Sequence, residues 1–138
     1  MQSKLNPYIH FKDQAKTAME FYKSVFGGEL TLSTFKESGM FQDSSEGDNI
    51  MHAALVADND IRLMGADTPS HMEYNPGQTV SISLSGDNEE ELRGYWNKLS
   101  EGAKITAPFE KAPWGDTFGM LTDKFGINWM VNVAAKKE

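Results

Sequence analysis

A chain of 138 residues with 39% apolar and 24% charged residues is long enough for one buried core, too short for two independent ones, and globular rather than disordered in composition. Cysteine is absent, which excludes disulfides, thiolate metal sites and a cysteine nucleophile, and no window approaches the roughly 20 apolar residues that span a bilayer, so the expected compartment is the cytoplasm. The net charge of -7, with Lys and Arg scattered rather than gathered into a stripe, disfavours a nucleic-acid partner and favours a cationic ligand.

The first extended run covers residues 6–11 and leads into an amphipathic helix over 13–28, where Ala15, Ala18, Met19, Tyr22, Val25 and Phe26 recur at helical spacing. Asp13 is the expected N-cap and Gly27-Gly28 the stop. Strands follow at 29–35, 50–56 and 61–66. The stretch 36–49, rich in Ser, Gly and acid, reads as a hairpin loop, and 67–78, with Pro69, His71, Pro76 and Gly77, as a linker. An extended run at 79–85 then precedes a second helix over 87–102, with Leu92, Tyr95, Trp96 and Leu99 on one face and a capping box from Asp87 to Glu90. The last strands fall at 104–109, 117–122 and 127–133.

The two halves repeat. Placing Asp87 on Asp13 brings Tyr95-Trp96 onto Phe21-Tyr22, Leu99 onto Val25, and Gly102 onto Gly28. Each half is therefore expected to be β-α-β-β-β, in one α+β domain over 1–138 with module one at about 4–66, a linker at 67–78 and module two at about 79–135. One helix covers one face of a four-stranded sheet. The opposite face must meet another module or line a cavity, and function is expected there.

The paired modules, the helix end Met19-Glu-Phe-Tyr-Lys-Ser-Val-Phe-Gly-Gly28, Ile50-Met-His-Ala53, Trp114-Gly-Asp-Thr-Phe-Gly-Met120 and Asp123-Lys-Phe-Gly-Ile-Asn-Trp-Met130 resemble the PhnB-like branch of the glyoxalase, bleomycin-resistance and extradiol-dioxygenase (vicinal-oxygen-chelate) superfamily. The resemblance covers nearly the whole chain. It implies curved, antiparallel-rich sheets, two modules enclosing a cavity, and a homodimer. In metal-dependent members His, Gln or Glu ligands come from the first and last strands of each module. The matching positions here are Asn6 or Pro7, Met64, Ser81 and Met130. Thioether is a poor ligand for hard or borderline divalent ions, so no metal cofactor is expected at the usual place. Some relatives carry a methyltransferase label, but no Gly-rich strand-to-helix turn suited to S-adenosylmethionine is present in the sequence.

Among single residues, His52 lies in the alternating run 50–55, on the side of Ile50 and Ala54, as an acid-base or ligand-anchoring group or as a structural histidine. His10 shares a face with Asn6 and Tyr8 if Pro7, Ile9 and Phe11 pack on the helix; a slip of one residue reverses this. His71 is expected to be solvated. Trp114 and Asp116 are either an aromatic wall and polar rim contact or parts of a turn. On the last strand Asn128, Met130 and Asn132 alternate with apolar Trp129, Val131 and Val133, and the resemblance turns the first set, with Ser81, Ser83 and Tyr8, toward the cavity.

The expected ligand-binding set is thus Tyr8, His10, His52, Ser81, Trp114, Asp116, Asn128 and Met130, for a small organic molecule of unspecified identity, with no nucleic-acid or membrane partner. Two alternatives stay open. One is a metal-dependent lyase, isomerase or dioxygenase whose ligands are displaced to His10 or His52; the other is a drug-sequestering protein of the bleomycin-resistance kind.

Overall fold

A computed structural model describes residues 3–38, 47–58, 60–69 and 72–135. His71 and much of the expected 36–49 loop lie outside these residues. The chain divides into two compact units, residues 1–76 and 77–138. The first runs β1 (Tyr8–Phe11), α1 (Ala15–Phe26), β2 (Glu29–Thr34), α2 (Phe35–Ser38), β3 (Ile50–Val56) and β4 (Arg62–Asp67); the second runs β5 (Ile82–Gly86), α3 (Glu89–Leu99), β6 (Lys104–Lys111), β7 (Thr117–Thr122) and β8 (Asn128–Val133). Each unit is β-α-β-β-β, with α2 a single turn that opens the segment expected as loop.

Both sheets have four strands and the same order, β1-β4-β3-β2 and β5-β8-β7-β6. The outer pairs β1/β4 and β5/β8 are parallel because a helix carries the chain from the first strand across the sheet; the remaining pairs are antiparallel hairpins. Helix α1 buries Ala15, Ala18, Met19, Tyr22, Val25 and Phe26, the face anticipated from their spacing. Under it lie Ile9, Phe11, Ala53, Leu55 and Leu63. Gly28 ends this helix where β3 passes so closely that a Cβ would collide with the Val56 carbonyl. In the second unit Leu92, Trp96 and Leu99 of α3 are buried together with Leu121, Trp129, Val131 and Val133.

The helix starts correct three expectations. Asp13 does not cap α1: the N-cap is Gln14, with no side-chain bond, and the Asp13 carboxylate instead accepts from the Asn49 amide at 2.7 Å. The Ala15 N–H is taken by Asp67, whose Oδ1 accepts it at 2.9 Å while Oδ2 accepts the Ile50 N–H, also at 2.9 Å. Asp67 is therefore the buried end of β4 and not the start of a linker. At α3 the cap is Asn88, accepting from the Glu91 N–H at 3.0 Å, one residue past the expected Asp87–Glu90 box.

Candidate functional site on the helix-free sheet faces

In the first unit Ile9 and Phe11 are buried on the helix side, which puts Tyr8 and His10 on the opposite face of β1 and resolves the one-residue ambiguity of that strand. Tyr8 pairs with Met64 and His10 with Ala66 on β4. On β3 the register with β2 shifts between Ser33 and Thr34, so that Ser33 faces His52 and Thr34 faces Ile50. This bulge breaks the expected alternation: Ile50 is buried at 2% exposure, while His52 and Ala54 are half-buried. His52 thus shares its face with Ala54 and not with Ile50.

Tyr8, His10 and His52 come together on that face. The Tyr8 ring centroid is 5.3 Å from that of His10 and 5.8 Å from that of His52, with tilts of 43° and 36°. The Tyr8 hydroxyl and His52 Nδ1 are 3.3 Å apart. Partial burial raises the Tyr8 phenol above its ordinary value of 10.0. The Tyr8 hydroxyl can donate to or accept from the imidazole, so the pair is satisfied by either His52 tautomer. Arg62 and Met64 share the face, because Leu63, Gly65 and Asp67 point to the helix side.

The corresponding face of the second sheet carries Ser83, Met130 and Met120, in register across β5, β8 and β7. Ser81 lies just before β5 and is half-buried. The polar residues of β8 are engaged: Asn128 Oδ1 accepts from the Thr122 hydroxyl at 2.7 Å, and the Asn132 amide donates to Asp116 at 3.1 Å. Asp116 Oδ1 also accepts the Ala135 N–H at 2.9 Å, and these two bonds, Ala135 first, hold its carboxyl below the usual 3.8. Residues 112–116 form a turn closed by the Gly115 N–H to the Ala112 carbonyl at 2.9 Å, with Gly115 at φ 103. Asp116 thus ties this turn to the end of β8. Trp114 projects from the turn at 67% exposure, its ring 6.3 Å from that of Phe118. The contributions of Arg62, Met120 and Phe118 were missed in the sequence, although strand alternation aligns Arg62 with Met64 and Phe118 with Met120.

The donor set does not fit a resident divalent metal. The matched positions supply thioether, amide and hydroxyl groups; the residue opposite Met64 is Tyr8, and that opposite Met130 is Ser83. Among the described residues no three His, Asp or Glu side chains are placed to hold an ion. No helix among them is long and apolar enough to cross a membrane.

A family described as 3-demethylubiquinone-9 3-methyltransferase matches residues 3–132. The chain belongs to this family. Protein YjdN of Escherichia coli strain K12 is 28% identical over 96% of this chain and 97% of its own. Among solved structures, protein PA1353 from Pseudomonas aeruginosa is 32% identical with a TM-score of 0.87, covering 98% of this chain and 100% of that one. The PhnB protein from Bacillus cereus, a putative 3-demethylubiquinone-9 3-methyltransferase by name, is 27% identical with a TM-score of 0.75, covering 96% and 100%. The fold alone extends to a glyoxalase/bleomycin resistance protein/dioxygenase superfamily member from Sphaerobacter thermophilus, 19% identical with a TM-score of 0.58 over 97% and 100% of the two chains. The chain is accordingly PhnB-like, with the fold of that superfamily. Residues 12–14 lead from β1 into α1 and Asp87-Asn88 from β5 into α3, and neither stretch contains glycine.

Proposed function

We propose that this PhnB-like protein binds a small organic molecule on the helix-free face of its first sheet, without a resident metal. The observation that carries the reading is the contact of Tyr8 with both His10 and His52 on a face that no helix of the same unit covers. A phenol ring and two imidazoles give apolar contact with a few placed polar groups, the usual composition of a small-ligand site. On the second unit, taken by itself, the half-buried Ser81, Asn128 and Met130, with Trp114 and Asp116 at its turn, are proposed as ligand contacts of that unit's own helix-free face. Cytoplasmic residence and a homodimer belong to the same proposal, the latter tested by sedimentation.

A fragment screen read by amide NMR tests the binding site. Binders are expected to move the signals of Tyr8, His10 and His52, and Tyr8→Phe and His52→Gln each to weaken binding about tenfold, the worth of one good hydrogen bond. Binders that leave those signals in place in the wild type would overturn the assignment.

A further inference from the structure

The whole chain is acidic, yet the helix-free face of the first sheet is not. Its strand positions run Tyr8 and His10 on β1, Thr31 and Ser33 on β2, His52 and Ala54 on β3, and Arg62, Met64 and Ala66 on β4. They hold a guanidinium, two imidazoles, a phenol and two hydroxyls. The one carboxylate in this set of rows is Glu29 at the start of β2, in register with Val56, which in turn pairs with Arg62. Asp58 and Asp60 stand in the β3–β4 turn nearby, both exposed.

Arg62 is half-buried and, among the described residues, makes no ion pair or hydrogen bond with Glu29, Asp58, Asp60 or any other group. A guanidinium with five unused donors in a fixed planar fork is a strong receptor for an oxyanion. Met64 lies between Arg62 and the histidine row, flanked by Ala54 on β3 and Tyr8 on β1, and Ala66 pairs with His10 beyond it, so a ligand held by Arg62 crosses Ala54 and Met64 to reach Tyr8.

We propose that the occupant of this face is a small organic anion, its carboxylate-type group held by Arg62 and its body lying toward Tyr8, His52 and His10. The inference rests on the binding reading above and adds the sign of the ligand's charge. It also reverses the cationic preference that the net charge of -7 suggests, because a local donor cluster acts at contact range while the remaining charge is spread and screened. The ring nitrogens of His52 and His10 and the Tyr8 hydroxyl supply further hydrogen-bonding groups for the far end of the ligand.

The probes are benzoate, its neutral isostere benzamide, and inorganic phosphate, each titrated into the intact protein and followed by the amide and His side-chain NMR signals. Benzoate is expected to shift Arg62, Tyr8 and His52 together. Arg62→Gln should weaken benzoate binding about tenfold or more, corresponding to about 1.4 kcal/mol, and Arg62→Lys should recover part of it because the charge is kept and the bidentate fork lost. Benzamide should bind more weakly than benzoate to the wild type and equally to both Arg62 variants.

Benzamide binding at the same residues as tightly as benzoate would leave the small-molecule site standing and overturn the anion inference. Phosphate binding as tightly as benzoate would reduce the site to an adventitious ion only, and would overturn the inference that an organic body is recognised. Absence of any shift at these residues with benzoate would overturn it as well. The Arg62 variants are checked for an unchanged amide spectrum elsewhere, so a folding defect is separable from lost binding.

Discussion

At the scale of single residues, two buried carboxylates decide how the elements are joined. Asp67, 3% exposed, accepts backbone N–H groups from both the start of α1 and the start of β3, so it completes a helix cap from 52 residues away in sequence. Asp67→Ala would leave two buried donors unpaired and is expected to cost about 2 to 4 kcal/mol in urea unfolding, with Asp67→Asn costing less because one acceptor oxygen remains. Asp123, 4% exposed, does the parallel task in the β7–β8 turn: Oδ1 accepts from Phe125 and Ile127, and Oδ2 from the Trp129 indole at 2.9 Å. That set of bonds is a physical reason for the Asp123-to-Met130 motif. Asp116 forms a third tie, from the turn before β7 to the end of β8. Its folded pKa lies below the ordinary 3.8, so its contribution is complete above the unfolded value and is lost as pH falls through the folded one. Asp116→Asn is therefore expected to lower stability at about pH 6 and to differ less from the parent at about pH 2, as read by unfolding at both values.

At the scale of elements, the second unit's helix meets its sheet at a glycine. A Cβ on Gly119 would lie 2.8 Å from the Trp96 ring and 2.9 Å from the Phe109 backbone. Trp96 itself stacks on Phe109 at 5.1 Å and 21°, with the Arg93 guanidinium 4.9 Å from the same ring. Gly119→Ala is expected to push α3 off the sheet and cost about 1 to 3 kcal/mol. Gly94, in the middle of α3, meets nothing within 4 Å of an added Cβ, so Gly94→Ala should raise stability by about 0.5 to 1 kcal/mol through helix propensity alone. Comparing midpoints of the two variants tests whether the contact or the propensity governs. Element existence was readable in the sequence: the β3 and β7 limits coincide with the expected 50–56 and 117–122, and α1 buries all the residues whose spacing marked them, while α3 buries Leu92, Trp96 and Leu99 and leaves Tyr95 only half-buried. Their caps were not, because Asn88 competes with Asp87 locally and Asp67 arrives from another strand.

At the scale of the whole molecule, the repeat has preserved the framework of the two units while their chemistry has diverged. The same strand order and a parallel first-to-last strand pair recur in both, yet the helix-free face carries Tyr8, His10, His52 and Arg62 in one and Ser83, Met120, Met130 and Asn128 in the other. Neither matches the imidazole and carboxylate sets that hold divalent ions in catalytic sites. Protein purified without chelator and equilibrated with Zn, Mn, Ni or Fe(II) is expected to retain less than one equivalent after desalting, measured by elemental analysis. A full equivalent whose binding disappears in a His10→Gln, His52→Gln double variant would reinstate the metal-dependent alternative.

The sequence by itself determined the β-α-β-β-β repeat, the helix faces and the family, since these depend on periodicity and on short motifs that local sterics and burial impose. It also singled out Tyr8, His10 and His52 one at a time. Only the tertiary structure decided that they form one cluster. Their contact depends on the parallel register of β1 with β4 and on the bulge in β3, and strand register across a long crossover is set by packing beneath the sheet, where Ile9, Phe11 and Leu55 must meet α1. The unpaired state of Arg62 was hidden for the same reason: whether a cation finds its acid depends on which strands are neighbours and which face each residue takes.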